Sequence, residues 1–432
     1  MNHGPVGTSA AAPPRAPLLL LVAGVLLIAA NLRPVITAVG PVLDQIGAET
    51  GLGAAALGLL ASVPLLAFAA VSPLTHGLSE RFGVERTVFG ALLVLAAGTL
   101  LRSVPGPLAA LWIGSFVIGG SIAVCNVLLP AIIKRDFPDR MAQLTAAYSA
   151  VLGGIASLGA GLSVPLSALP LGADGAPAGW RFALAAFVVL GIPATIAWVP
   201  RLRAARAGPG GADRVPAPAA GAPGPARVPD PGAGEPAARP MARGEIWRST
   251  VAWQVTVYMG LQSMVFYIFI SWLPTLERSY GRSDAGSGWD LMAFQIIGVA
   301  ASLLTPLVMR GRLRRIAPSL PGAVVIAAMA GLLVAPGAMF LWVMLAGFGC
   351  GSSLVVALSL FGLRARTHRE ASALSGMAQS LGYLFAAAGP PLFGALYALT
   401  GEWVLPVGVV VAASVGQVLT GLLVGRERYV SA

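Results

Sequence analysis

Arg33 is the one ionisable residue that falls well inside a stretch long and apolar enough to cross a bilayer. A guanidinium near the middle of such a helix costs about 2.5–3.5 kcal/mol on insertion scales, so a carboxylate, a water-filled cavity or an anionic ligand has to offset it. At helical spacing Arg33 shares a stripe with Ala30, Thr37 and Gly40, whereas Leu32, Ile36, Val39 and Leu43 form a lipid-compatible stripe opposite. The side chain is therefore expected to face protein rather than lipid. Pro34 follows and cannot donate to the carbonyl of Ala30, which predicts a kink here. The chemistry implied is attraction of an anionic solute. The rival use of such an arginine is to snorkel outward or to cap carbonyls of a neighbouring helix. With no Asp or Glu inside a span to neutralise it, the ligand role is favoured.

Other apolar stretches carry polar residues at helical spacing: Ser115, Gly119, Ile122 and Asn126; Tyr258 and Gln262, with Ser263, Tyr267 and Ser271 beside them; Gln295, Gly298, Ser302 and Thr305; and Ser372, Gln379 and Tyr383. Each could line a solute path or simply bond one helix to the next. Enzymatic constellations are missing. There is no GxxxxGK[ST] loop for ATP, no HExxH and no GxSxG, and His3, His76 and His368 are scattered. Cys125 and Cys350, both in apolar stretches, make neither a disulfide framework nor a zinc site. The expectation is no enzyme, no cofactor and no metal.

The elements that would position these residues are membrane helices. Only 10% of the 432 residues are charged, against about 25% in soluble domains, and 56% are hydrophobic, with a mean hydropathy of +0.81. Twelve apolar segments of spanning length can be drawn: 17–41, 54–76, 85–104, 107–131, 142–166, 180–200, 249–273, 287–309, 318–336, 338–362, 371–398 and 403–424. The run at 17–30 reads as a signal anchor, because apolar character continues beyond Arg33. The chain divides into an N-terminal tail at 1–16, a six-helix half at 17–200, a Pro/Gly/Ala-rich flexible linker at 201–248, a second six-helix half at 249–424 and a tail at 425–432.

Charge sets the orientation. With both termini cytoplasmic, 23 of the 28 Lys and Arg fall in inner segments and only Arg102, Arg181, Arg278 and Arg282 in outer loops. The net charge of +11 is thus a topology signal and does not call for nucleic acid. Eight of nine Trp fall near span ends, which reads as an interfacial belt. The partners expected are the lipid bilayer and a small-molecule substrate, with protons left open.

Two parts of the chain look alike. Span five, with Gly153, Gly154, Gly159, Gly161 and Pro165, runs towards Gly179-Trp180-Arg181. Span eleven, with Gly376, Gly382, Gly389, Pro390 and Gly394, runs towards Gly401-Glu402-Trp403. Paired six-helix repeats around a central cavity are a transporter architecture. The loop Gly77-x-x-Glu80-Arg81-x-Gly83-x-x-Arg86 resembles the signature loop of the major facilitator superfamily, with Glu80 where Asp is commoner. Asn31-Leu32-Arg33-Pro34, Asn126-Val127-Leu128-Leu129-Pro130 with Lys134-Arg135, Gly260-Leu261-Gln262-Ser263 and Trp272-Leu273-Pro274 are similar to the branch of cyanate permeases and 2-nitroimidazole transporters.

That resemblance implies an all-α membrane protein of twelve helices in two pseudo-symmetric halves that rock about a midplane site. It implies a small anion or azole as solute, with Arg33, Asn31, Thr37, Asn126, Tyr258, Gln262, Tyr267, Gln379 and Tyr383 as candidate contacts. Gly77, Glu80, Arg81, Gly83 and Arg86 would form a conformational loop, in which opposite charges at helix ends lock one state. The alternative is a broad-specificity, proton-coupled exporter with an apolar pocket. No proton-carrying carboxylate is expected inside a span; Glu277, Asp290 and Glu402 fall near outer ends. Uniport, anion–proton symport and proton-coupled export are all compatible with the sequence.

Overall fold

The computed structural model describes residues 18–172, 175–207, 245–309 and 311–430. The expected tail at 1–16 and most of the expected linker, residues 208–244, lie outside the described residues. Twelve apolar helices are present: α1 Leu19–Thr50, α2 Ala54–Phe82, α3 Val84–Ser103, α4 Leu108–Asp136, α5 Gln143–Ser167, α6 Gly179–Arg203, α7 Thr250–Ser279, α8 Asp284–Val308, α9 Leu320–Val334, α10 Pro336–Leu363, α11 Glu370–Thr400 and α12 Val404–Val424. At 1.5 Å per residue most exceed the roughly 30 Å of a hydrocarbon core; α9, with 15 residues, is the short one. The end of the bundle where α6 stops and α7 starts is called here the linker end, and the opposite one the far end.

The helix most altered by its sequence is α1. Its α-helical ladder stops at Leu32 and restarts at Pro34, and a 3₁₀ turn at Gly40–Val42 interrupts it again. The Val39 amide donates to Ile36 O, one residue short of its α-helical partner Val35. Two hydroxyl and amide side chains tie the broken segment to its own half: Asn31 Nδ2 donates to Leu190 O on α6 at 2.9 Å, and Thr37 Oγ1 to Ala156 O on α5 at 2.7 Å. Beyond the break Gly40 lies against the Ile270 carbonyl of α7, so close that a Cβ could not fit.

The halves meet mainly towards the far end. Gly58 of α2 abuts the backbone at Pro390 and Pro391 of α11, Gly394 abuts Ala54, and Gly288 of α8 packs on the backbone of α5 at Ala160. Arg278 of α7 pairs with Asp44 of α1, its Nη1 donates to Pro41 O at 3.1 Å, and Thr275 Oγ1 reaches Asp44 Oδ1 at 3.0 Å. Nearer mid-bundle Gln295 Nε2 donates to Ala156 O at 3.3 Å. Among the described residues, no hydrogen bond or ion pair joins the halves at the linker end. The conformation is closed at the far end.

The expected tryptophan belt is corrected. Trp180, Trp198, Trp272 and Trp403 are buried, and three of them act as struts: Trp198 Nε1 donates to Glu85 O, Trp272 Nε1 to Pro390 O and Trp180 Nε1 to Glu49. An indole buried this way needs an acceptor, and a backbone carbonyl or a carboxylate of a neighbouring helix supplies one. Trp247 and Trp289 are exposed, as a belt position would be.

Replacing Gly58 with Leu is expected to force α2 and α11 apart and open the far end. In a Cys125→Ala, Cys350→Ala background, an Ala61→Cys probe should then label with a membrane-impermeant thiol reagent about tenfold faster. That corresponds to a shift of roughly 1.4 kcal/mol in the open–closed balance. Unchanged labelling would mean the glycine contact does not hold the seal.

Candidate substrate site

The break in α1 leaves Arg33 as the residue that caps the restarted helix, and Arg33 O accepts the amides of Ile36 and Thr37 at 3.0 Å. Its guanidinium crosses to the other half and sits over the Phe266 ring of α7, 5.8 Å from the centroid. No carboxylate among the described residues pairs with it. Its charge acts on three phenols: Tyr148 of α5, Tyr267 of α7 and Tyr383 of α11. These are three of the seven tyrosines in the chain, so phenols gather around this one cation. Tyr148 Oη donates to Asn126 Oδ1 at 3.3 Å, and Asn126 is exposed although it lies well inside α4. The Phe68 and Tyr383 rings meet edge-on across the halves at 5.9 Å, and Phe266 meets Tyr267 at 5.3 Å. One fixed positive charge between aromatic faces and hydroxyl groups suits a small planar or linear anion, by charge and by stacking.

Of the expected contacts, Arg33, Asn126, Tyr267 and Tyr383 converge. Gln379 stands about one helical turn from Tyr383, half-buried, with its Nε2 donating to Ser375 Oγ of its own helix at 2.8 Å. Four others are committed to structure. Asn31 and Thr37 hold α1 to α6 and α5, as described above. Tyr258 is fully buried in the second half; its Oη donates to Pro318 O at 2.8 Å and accepts from Gln417, which also bonds Ser353. Gln262 turns back on Met259 and Ser263. A periodicity argument places polar residues on a stripe but cannot tell the cavity from a helix–helix seam, and these four lie in seams.

Sequence reasoning missed Phe266, whose ring in an apolar helix carries no desolvation cost to betray it, and Tyr148, whose hydroxyl lies in a span that was not read for a polar stripe. Two charged residues were misplaced. Arg102, expected in an outer loop, is 2% exposed inside the bundle, with Nη1 donating to Val35 O at 2.8 Å. Glu277, expected near an outer end with no carboxylate inside a span, lies within α7 and is fully buried, with neither carboxylate oxygen hydrogen-bonded. The reason is geometric: α7 continues to Ser279 and other helices wrap it. The nearby cations Arg278 and Arg282 are committed to Asp44 and Asp290.

The loop at 77–86 is also corrected. Gly83 has φ +83°, which permits the tight turn between α2 and α3. Gly77 has open space around it. Among the described residues Glu80 pairs only with His76 of its own helix, Arg81 lies over Phe82, and Arg86 is exposed, so no ion pair of these charges joins helix ends there. The ion-pair network at this end of the first half is built from other residues. Glu85 of α3 binds Arg135 of α4 at 2.6 Å, Arg135 binds Asp136, and Asp136 binds the buried Arg201 of α6 at 2.8 Å, with Arg201 over Trp198.

Residues 19–390 match the Major Facilitator Superfamily, and the chain belongs to that family of membrane transporters. It is 38% identical to the 2-nitroimidazole transporter of Escherichia coli K12 over 95% of this chain and 96% of that one. It is 26% identical to a cyanate transport protein of the same organism over 88% of this chain and 90% of that one. In fold it is similar to the crystal structure of a bacterial Spinster homologue in an inward-facing, unoccupied conformation, at a TM-score of 0.69 and 15% identity. That match covers 94% of this chain and 95% of the other. The protein is a multi-pass membrane transporter of small molecules.

Removing Asp136 as Asp136→Asn leaves Arg201 charged and unpaired in a mostly buried position, which costs about 3 kcal/mol. The thermal midpoint of the purified protein should fall by several degrees. Glu80→Gln, at an exposed helical pair worth at most ~0.5 kcal/mol, should leave it unchanged. Equal effects of the two substitutions would contradict the assignment of the network.

Proposed function

We propose that the chain carries a small anion or azole-like solute across the plasma membrane by alternating access, with Arg33 as the positive charge of a midplane site. The supporting observation is a guanidinium that spans the two halves with no carboxylate partner and with phenols and Phe266 around it. Asn126, Tyr148, Tyr267 and Tyr383 would supply polar and stacking contacts, with Gln379 near them. A solute seated there touches both halves, so its binding can bias their relative position. The names of the two relatives, for 2-nitroimidazole and for cyanate, fit a planar or linear solute of low mass.

Both termini are placed in the cytoplasm by the arginine distribution. The far end is then extracytoplasmic, and the conformation described is open to the inside. The linker at 201–248 would let the halves move while keeping them on one chain.

Two measurements test this reading. In proteoliposomes, Arg33→Ala should reduce uptake of cyanate and 2-nitroimidazole at least tenfold, and Arg33→Lys, which keeps charge but loses the planar fork, should fall between. Wild-type rates in Arg33→Ala would end the assignment. For coupling, we assign the proton-carrying role to Glu277, because it is buried in a span, has no hydrogen-bond partner, and its neighbours Asp290, Arg278 and Arg282 are engaged elsewhere. Flux through the wild-type protein should respond to an imposed pH gradient and flux through Glu277→Gln should not. A wild-type flux indifferent to the gradient would remove proton coupling altogether.

A further inference from the structure

Arg102 is a second intramembrane guanidinium, and nothing in the transport reading above uses it. It stands near the far end of α3 with 2% of its surface exposed. Among the described residues a single protein acceptor reaches it, Val35 O, which the Val39 amide leaves free by turning to Ile36 just past the end of the restarted helical turn. Nε and Nη2 are buried with no acceptor in reach, and no acidic side chain acts on the group. Arginine does not shed its proton in proteins, so the charge itself has to be balanced. Propping the broken α1 accounts for one of its five N–H donors. It leaves the charge and the others unexplained.

The guanidinium borders a small pocket between α1, α2, α3, α4, α6 and α7, with room for one or two water-sized atoms. The polar side chains on its wall besides Arg102 are Ser115, Tyr267 and Ser271, and apolar residues such as Leu60 and Ile270 make up the rest. Ser115 spends its hydroxyl on Leu111 O, whereas Ser271, on the face of α7 opposite, has no such partner. Water could accept the free N–H groups but would leave the charge uncompensated in a low-dielectric site; a small anion does both. One cation, a confined space and no further basic residue on the wall restrict the ligand to a single negative charge.

We infer that Arg102, with Tyr267 and Ser271, forms a second anion site at the far end of the pathway, selective for a small monovalent anion such as a halide. It stands on the surroundings of Arg102 alone and holds whether or not Arg33 binds the solute. Tyr267 borders this cavity and also feels the charge of Arg33, so the two sites share a wall.

The test uses the purified full-length protein in detergent and bromide as the probe. The thermal midpoint is followed as sodium bromide replaces sodium gluconate at constant ionic strength. Saturable stabilisation is expected in the wild type and in Arg33→Ala. In Arg102→Gln, which keeps an N–H donor for Val35 O but removes the charge, bromide should bind at least about tenfold more weakly. Should Arg102→Gln not fold, bromide-soaked wild-type crystals give the same answer through an anomalous peak beside Nε and Nη2 of Arg102. Bromide stabilisation that Arg33→Ala abolishes and Arg102→Gln retains would overturn the inference and assign the ion to the central site. No saturable effect, or crystals without a peak at Arg102, would overturn it as well.

Discussion

The break in α1 between Leu32 and Val42 sets the terms for everything around it. Pro34 cannot continue the hydrogen-bond ladder, so the helix restarts, and the residue at the restart is an arginine. A straight helix would aim Arg33 along a regular stripe; the restarted one delivers it across the gap to Phe266 on the other half. Where the restarted helix ends after Thr37, the Val39 amide turns to Ile36 and leaves the Val35 carbonyl to Arg102. Just beyond it Gly40 brings the α1 backbone against Ile270 and closes the far end. Two cations and one seal thus hang on about ten residues of broken helix. Asn31 and Thr37 on either side keep those residues tied to their own half.

The polar groups of the bundle divide into two kinds, and burial energetics separates them. Most groups in helix seams are paired: Tyr258, Gln417 and Ser353 form one network, and Glu85, Arg135, Asp136 and Arg201 form an ion-paired chain in which Nε and Nη2 of Arg201 stay without an acceptor. They fix each half as a unit. Charges without an ion-pair partner are Arg33, which reaches across the halves, and Arg102 and Glu277, buried inside the bundle. A buried charge without a partner is costly, which is why these three residues are the ones for which a binding or coupling role is proposed.

Twelve helices were legible because each needs some twenty apolar residues and the chain supplies them with few interruptions. Arg33 was legible for the same reason in reverse: one charge in such a run stands out. Arg102 and Glu277 were not, since each lies within a few residues of a span end, where sequence reads solvent and only neighbouring helices decide burial. Trp198 and Trp272 misled in the same way, having the position of belt residues but the surroundings of core ones. Phe266 left no signal, because a ring facing a cavity and a ring facing lipid look alike in a list of apolar residues, whereas the hydroxyl of Tyr148 was a signal passed over in span five. The signature loop announced the family correctly while its visible charges, Glu80 and Arg81, proved to be bystanders to Glu85 and Asp136.

One carbonyl touches both sides of the moving boundary. Ala156 O receives Thr37 at 2.7 Å from its own half and Gln295 at 3.3 Å from the other. When the halves part, the shorter bond travels with Ala156 and the longer one lets go, so no acceptor is orphaned and Gln295 meets entering water. The boundary at this point behaves like a clutch face: one plate stays bolted, the other grips lightly, and disengaging forfeits a single weak bond.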